Sequence, residues 1–242
     1  MTVARGWRRL AILAIATGLL LGWGSVPAVG ETLESGEQER VFLSQVRRLS
    51  FEGKRAGEGY FSPDGTKMVF QSERHPGNPF YQIYELDLET GDTRRISTGA
   101  GKTTCAFYHP TAQKLLFAST HHDPSSAELQ RAALELRASG EEQRYAWDYD
   151  PEMEIYVADL KSGELERLTE IRGYDAEGSY SPDGRWIAYD SIETGRAEVY
   201  VRPFPQVEDG RWQISTAGGQ EPIWARSGGE LFYYTPTGLT VT

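Results

Sequence analysis

The sequence has 242 residues, and its 35 acidic side chains outnumber its 25 basic ones, which gives a formal net charge of −10. Such an acidic chain is a poor nucleic-acid binder, because neutralising phosphates requires clustered lysine and arginine. The single cysteine, Cys105, excludes an intramolecular disulfide, and we expect it to be a small buried residue.

Residues 1–30 have the three parts of a secretory signal. "MTVARGWRRL" carries three arginines and no acid, an apolar run begins at Leu10, and small residues follow, with Ala28 and Gly30 at the positions that a signal peptidase inspects. The alternative, an uncleaved anchor, is disfavoured because the apolar run is short for a membrane span. We expect cleavage after Gly30, which leaves a periplasmic or secreted chain of net charge about −13 without a membrane span. The polar residues 31–42 are expected to form a flexible leader.

One short stretch of sequence occurs twice in similar form. "YFSPDGTKMVFQS" recurs more than a hundred residues later as "SYSPDGRWIAYDS", and weaker copies place Pro110 and Arg226 where Pro63 and Pro182 stand. SPDG is a β-turn signal, because proline fixes φ while aspartate and glycine tolerate the positions that follow. A second pair of apolar runs joined by a glycine-containing turn follows each copy, except the last. A unit of about 45 residues with four short strands is typical of a propeller blade.

With the hairpins that follow them, these stretches resemble the repeat of TolB-type β-propellers over residues 43–242. The resemblance implies an all-β fold, a periplasmic setting and action within an envelope-spanning complex, without implying the same partners. Related repeats also occur in propellers attached to serine peptidases, so the motif is specific for the repeat and not for one function. TolB has an additional N-terminal α/β domain, which we do not expect, because only about a dozen residues separate the signal from the first strand.

We predict four blades, at residues 57–98, 104–170, 174–216 and 220–242. The fourth has room for only three strands, around residues 222–226, 230–234 and 238–242. "QVRRLSF" at 45–51 resembles an outermost strand, and pairing it with the fourth blade would close a four-bladed propeller and bury two edges. The alternative, which we favour, is that the chain is a truncated part of a six-bladed propeller.

The second repeat is about 25 residues longer than the others, and the excess lies at about 121–150. Asp123 is the predicted N-cap of a helix of about fifteen residues, with Pro124 at its first position and Gly140 at its end. One face of this helix collects four apolar residues, Leu129, Ala132, Ala133 and Leu136. The helix is predicted between the second and third strands of blade two, where it either carries function or only covers apolar surface.

Aligning the innermost strands places four residues five positions before the proline position of each turn, which Arg226 occupies in the last copy: Glu58, Cys105, Glu177 and Glu221. Because innermost strands line the central channel, the three carboxylates are predicted to converge as a binding site at one mouth. Like charges held close need a cation or raised pKa values. A calcium ion would suit such oxygen ligands; the alternative is three separate solvated carboxylates, and no other cofactor is expected.

A second candidate site lies in "AWDYDPEME" and in the "GYDAEG" that follows. Acidic and aromatic side chains alternate there and are predicted to form a loop patch that binds a basic peptide or a sugar. The alternative is ordinary loop chemistry at a blade edge, because aspartate before proline is a common turn device. The predicted patch comprises Trp147, Asp148, Tyr149, Asp150 and Asp175.

Three histidines near the insertion, His109, His121 and His122, are weaker metal candidates, because zinc accepts imidazole but their spacing is not diagnostic. Asp64 and Asp183 stand inside the SPDG turns. We expect these two aspartates to stabilise the turns and to take no part in chemistry.

The sequence contains no GxSxG elbow, no HExxH pair and no phosphate-binding loop. We therefore predict a non-catalytic binding or scaffolding module for a protein or peptide partner. The alternatives are a propeller hydrolase or lyase, or a metal-dependent sensor, that uses the carboxylates at the channel mouth.

Overall fold

The structure is a computed structural model that describes residue 40 and the ranges 42–141 and 146–242. The predicted signal and nearly all of the predicted leader lie outside the described residues. A compact unit spans Arg48–Thr242 and holds four antiparallel sheets, of which three have four strands and the last has three. The prediction of an all-β propeller with about four blades and one helical insertion is confirmed.

Each sheet is a meander in which consecutive strands are neighbours. Blade one contains β1 (Ala56–Phe61), β2 (Lys67–Ser72), β3 (Gln82–Asp87) and β4 (Thr93–Arg95). Blade two contains β5 (Thr103–Tyr108), β6 (Lys114–Ser119), β7 (Glu154–Asp159) and β8 (Leu165–Arg167). Blade three contains β9 (Asp175–Tyr180), β10 (Trp186–Ser191), β11 (Glu198–Pro203) and β12 (Trp212–Gln213). Blade four contains β13 (Gln220–Trp224), β14 (Leu231–Thr235) and β15 (Gly238–Val241).

The SPDG turn joins the first two strands of blades one and three. In blade one the Ser62 hydroxyl donates to Asp64 Oδ1 over 2.6 Å, and the same oxygen accepts the backbone N–H of Thr66 over 3.0 Å. These hydrogen bonds lower the pKa of Asp64 to about 2. Ser181 and Asp183 repeat the arrangement in blade three, again over 2.6 Å. The two aspartates therefore stabilise turns.

The hydrophobic core lies between neighbouring blades. Leu116 and Ile155 of blade two and Ile187 and Tyr189 of blade three are fully buried in one cluster. This packing holds successive innermost strands side by side, since β5 contacts β1 and β9, and β9 contacts β13. The innermost strands are therefore the elements on which a shared site can form.

Residues 45–51 do not close the propeller. In the described part of the chain they form no strand, and the fourth sheet consists of β13, β14 and β15 alone. Leu49 instead packs against the apolar face of blade one at Phe70 and Tyr84, and Ser50 accepts a hydrogen bond from Arg74. The pairing with blade four, which was the less favoured alternative, is not formed, because Leu49 packs on blade one, and β1 remains exposed along its whole length.

The insertion contains one helix, α1 (Ser126–Ser139), between β6 and β7 as predicted. Its N-cap position is Ser125, so the prediction of Asp123 as the cap is wrong. Asp123 lies in the preceding turn, where its carboxylate accepts the Ser125 N–H over 2.8 Å. Gly140 ends the helix in the left-handed conformation at φ 76°, as the sequence predicted.

The helices within the described ranges include none with the length and apolar character of a membrane span.

Candidate binding site on the innermost strands

The four residues aligned from the sequence share an unusual backbone conformation. All four have positive φ, at 45°, 54°, 53° and 53° for Glu58, Cys105, Glu177 and Glu221. Each lies where its innermost strand shifts register against the second strand of its blade, as a β-bulge does. Left-handed backbone at a non-glycine residue is strained and is found preferentially at functional sites. We call these four residues the inner-strand cluster.

Three members of the inner-strand cluster come close together from three successive blades. One ligand atom each of Glu58, Cys105 and Glu177 lies within 4.8 Å of the other two. The Cys105 thiol donates to Glu177 Oε1 over 2.9 Å and also contacts the Thr104 hydroxyl at 3.0 Å. Glu221 lies within electrostatic range of both other glutamates. The inner strands thus bring together the residues that the sequence placed at one mouth.

Burial governs the protonation of this cluster. Burial is the main cause that raises the pKa of Glu177 to about 7, and the negative charges of Glu58 and Glu221 raise it further. The hydrogen bond from Cys105 acts in the opposite direction and lowers this pKa. Partial burial also raises the pKa of Glu58, and burial raises that of the Cys105 thiol well above its usual value. Within the described residues, no lysine or arginine forms an ion pair with Glu58, Glu177 or Glu221. In the described part of the chain, the site therefore has acidic groups that no basic side chain pairs with.

Asp190 on β10 is a further acidic residue here, and the sequence analysis missed it. It is only 4 % exposed, and its Oδ2 accepts the backbone N–H of Glu221 over 3.1 Å. Its Oδ1 is buried without a partner in the described structure, and burial raises its pKa well above the usual value. A signal was present in the sequence, because an aspartate interrupts the apolar run "WIAYDS" where the matching strands have Gln71 and Ala118.

The loop patch forms only in part. Lys102 donates to Asp148 and to Asp150, the latter over 2.6 Å. Trp147 donates to the Tyr174 hydroxyl over 2.9 Å, and the Tyr149 ring lies against that of Tyr174 at 5.1 Å between centroids. The two loop aspartates are therefore both paired with one lysine, and of the two only Asp148 is exposed.

Asp175 does not belong to the loop patch, although the sequence placed it there. It is 1 % exposed at the start of β9, and burial raises its pKa to about 7. Asp175 is the first residue of β9, an inner strand in which every residue but Glu177 is buried, so its carboxyl group lies in the interior. Asp175 cannot contact a partner directly.

A cavity of about 580 Å³ lies between α1 and blades one and two. Helix α1 contributes Ala133 and Leu136, which are its half-buried apolar residues, while Leu129 on the same predicted face is exposed. Aromatic side chains from blade one and from the loop line the opposite walls, namely Phe80, Tyr81 and Trp147. The cavity also reaches Thr103, the first residue of β5, which lies two residues before Cys105 in the sequence. The sequence alone did not indicate it.

The three histidines do not form a ligand group in the described ranges. His109 is buried between blades, where Tyr180 lies 4.7 Å from its ring and its Nε2 contacts the Gly184 carbonyl at 3.2 Å. His121 and His122 lie together against Tyr156 and contact its ring at 4.3 Å and 6.1 Å between centroids. These contacts explain the three residues as packing and hydrogen-bonding groups.

No protein-family model matches the chain. Among curated proteins, the chain is 23 % identical over 162 residues to an uncharacterised peptidase, YuxL, of Bacillus subtilis, in a match that covers 61 % of the chain and 24 % of the relative. It is 41 % identical over 51 residues to an uncharacterised protein of Agrobacterium fabrum, which covers 21 % of the chain and 17 % of that protein. The chain thus spans less than a quarter of the length of both curated relatives.

Solved structures share the fold at low identity. A putative TolB from Agrobacterium tumefaciens has a TM-score of 0.56 at 19 % identity and covers 78 % of this chain and 62 % of its own. TolB from Acinetobacter baumannii has a TM-score of 0.54 at 19 % identity, with 77 % and 40 % covered. A puromycin hydrolase S511A mutant has a TM-score of 0.53 at 15 % identity, with 81 % and 28 % covered. The chain therefore has a TolB-like β-propeller fold, which proteins of different activities share.

Proposed function

We propose that the chain is a non-catalytic binding module for a protein or peptide partner that carries basic groups. The observation that supports this proposal is the inner-strand cluster, where Glu58, Glu177 and Glu221 approach one another and have no protein counter-cation among the described residues. A partner that supplies a lysine, an arginine or a free amino group would neutralise these charges, which is a favourable interaction at low dielectric.

The cavity beneath α1 supplies a second contact for the same partner. Its aromatic walls at Phe80, Tyr81 and Trp147 offer the kind of surface that anchors apolar side chains at interfaces. Because Thr103 in the cavity wall and Cys105 in the cluster both lie on β5, a segment with a basic and an aromatic residue would contact both regions. The signal-like N-terminus and the TolB-like fold support a periplasmic or secreted setting for this recognition.

The competing hypothesis is a propeller hydrolase or lyase that uses the cluster carboxylates. It rests on the similarity to the Bacillus subtilis protein, which is named a peptidase, and to the puromycin hydrolase. The chain spans only 24 % and 28 % of these two proteins. Conversion of a substrate by the purified chain, abolished in Glu177→Gln, would favour this hypothesis over simple binding.

The binding proposal is tested with two fluorescein-labelled peptides, one of alternating lysine and tryptophan and one in which glutamate replaces lysine. Anisotropy is measured in the presence of a chelator, with the wild type and with the triple variant Glu58→Gln, Glu177→Gln, Glu221→Gln. We expect the lysine peptide to bind the wild type and to lose at least tenfold in affinity with the triple variant.

A matched control changes the net charge equally on exposed turns, at Glu89, Glu164 and Glu230. This control variant should keep wild-type affinity apart from a small effect that salt removes. Equal losses in the two triple variants, or equal binding of the glutamate peptide, would contradict the proposal.

A further inference from the structure

The inner-strand cluster contains a mixed set of ligand atoms as well as negative charge. Glu58 and Glu177 offer carboxylate oxygens and Cys105 offers a sulfur, and one such atom from each lies within 4.8 Å of the others. The three residues come from β1, β5 and β9, so blades one, two and three each supply one ligand from an equivalent position. A set of this kind on three rigid strands resembles the three protein ligands of an open metal site.

The sulfur decides which ion fits. Calcium, considered from the sequence, takes six to eight oxygen ligands and has little affinity for a thiolate. Zinc binds thiolate at about 2.3 Å and carboxylate at about 2.1 Å, so two such ligands on a tetrahedral ion lie roughly 3.6 Å apart. That separation falls between the 2.9 Å from the Cys105 Sγ to the Glu177 Oε1 and the 4.8 Å limit of the cluster. The spacing of these ligand atoms is therefore close to that expected for ligands of one zinc ion.

Asp190 provides an independent reason to expect a cation. It is only 4 % exposed, its Oδ2 accepts the Glu221 N–H over 3.1 Å, and the charge of Glu177 acts on it. Its other oxygen, Oδ1, is buried without a hydrogen-bond partner in the described structure. Within the described ranges no arginine or lysine forms an ion pair with this carboxyl group, which lies near two more carboxylates, so it lacks the compensation that buried charges normally have.

We propose that Glu58, Cys105 and Glu177 bind one zinc-like divalent ion, with Asp190 behind them as an acidic neighbour that is not a ligand. The fourth coordination position is open to water or to a donor from a partner. The ion ties the innermost strands of three blades together, so its binding stabilises the folded chain. This inference goes beyond the proposed peptide recognition and does not depend on it.

The test uses the full-length mature chain, freed of metal under reducing conditions and titrated with Co²⁺, which reports thiolate ligation through a charge-transfer band in the near ultraviolet. We expect the band to grow to one equivalent in the wild type and to disappear when Zn²⁺ is added. Cys105→Ser should show no such band, and Glu177→Gln should bind Co²⁺ at least tenfold more weakly. Glu89→Gln, with the same charge change on an exposed turn, should titrate like the wild type.

Thermal unfolding keeps the test decisive if Glu177→Gln folds poorly. Zn²⁺ should raise the Tm of the wild type and of Glu89→Gln but not that of Cys105→Ser, a conservative change of one atom. Absence of the band in the wild type, or an equal band in Cys105→Ser, would overturn the proposal. Because the peptide assay is run with a chelator, either proposal can fail while the other stands.

Discussion

At the scale of single residues, the inner-strand cluster combines backbone strain with acidity. Glutamate at φ near 53°, as in Glu177 and Glu221, is disfavoured by roughly 1 kcal/mol or more compared with glycine. The same conformation recurs at Glu58 and Cys105, so it is a property of the repeat and not of one loop. All four positions carry a side chain in spite of this strain, and the proposed binding role requires those side chains.

The strain predicts that glycine is tolerated better at position 221 than at its neighbour. Glu221→Gly should leave the free energy of unfolding unchanged or raise it by up to about 1 kcal/mol, because it relieves the left-handed backbone. Gln220→Gly in the same strand should lower it by about 0.5–1 kcal/mol. Glu221→Gln isolates the effect of the charge. Urea denaturation measures all three variants, and equal losses at 220 and 221 would contradict this account.

His109 predicts a pH dependence of stability. Its Nδ1 accepts the backbone N–H groups of Thr111 and Ala112, so its Nε2 carries the proton and donates to the Gly184 carbonyl. Burial lowers the pKa of His109 below its usual value near 6.5, and the hydrogen bond to Gly184 acts against that shift. The unfolded chain therefore takes up this proton at a higher pH than the folded chain does.

The sign follows from this difference. The stability contributed by neutral His109 is fully present above about pH 6.5 and is lost as the pH falls through the lowered folded pKa. His109→Gln should be less stable than the wild type at pH 8, with a difference that shrinks between pH 7 and pH 5. Urea denaturation at several pH values measures that difference, and other titrating groups largely cancel from it. A constant difference across this range would show that the histidine does not titrate as described.

At the scale of the element, each four-stranded blade contains the same polar link between its third and fourth strands. Ser97, Thr169 and Ser215, which follow the fourth strands, each accept a backbone N–H of the third strand through their hydroxyl oxygens. Ser97 and Ser215 also donate to the first side chain of that strand, Gln82 or Glu198. The link explains why a serine or threonine follows each of these hairpins in the sequence.

Removing one such link should destabilise the protein. Ser215→Ala leaves the Val199 N–H and the Glu198 carboxylate buried with fewer partners, which costs about 1–3 kcal/mol. Ser227→Ala on an exposed turn serves as the control and should change stability by less than about 0.5 kcal/mol. Chemical denaturation compares the two variants. A Ser215→Ala variant as stable as the control would contradict the claim that the link stabilises the blade.

The strands and turns could be predicted from the sequence because they depend on local signals. SPDG fixes a turn wherever it occurs, and the repeat aligned Glu58 with Cys105, Glu177 and Glu221 without knowledge of distances. The N-cap of α1 was misplaced because Asp123 and Ser125 are both good cap residues and only the turn geometry selects between them.

At the scale of the whole molecule, the contacts between distant segments could not be predicted from the sequence. "QVRRLSF" has the alternation of a strand, but alternation does not say which surface the segment covers, and Leu49 covers blade one. The cavity beneath α1 requires Phe80, Trp147 and Leu136 to meet from three separate segments. Asp175 was misassigned because its burial depends on how blade three packs.

Close packing between blades leads to a prediction at Gly178, beside Glu177 on β9. A Cβ at this position would lie 2.6 Å from Leu116 Cδ2 in blade two, whereas a Cβ at Gly57 on β1 would have no neighbour within 4 Å. Gly178→Ala should therefore lower the free energy of unfolding by about 1–3 kcal/mol. Gly57→Ala should be neutral or slightly stabilising. Similar thermal stability of both variants would contradict the packing of blade three on blade two.

The convergence of innermost strands from separate blades is the central claim, and cross-linking measures it directly. In a Cys105→Ser background, Glu58→Cys is combined with Glu177→Cys, whose native carboxylates lie within 4.8 Å across blades one and three. Dibromobimane becomes fluorescent when both its arms react, and it should link this pair within the folded monomer. The control pairs Glu177→Cys with Phe61→Cys, at the far end of β1, and should not be linked. Failure of the first pair to cross-link, or equal cross-linking of the two, would contradict the convergence on which the proposed site depends.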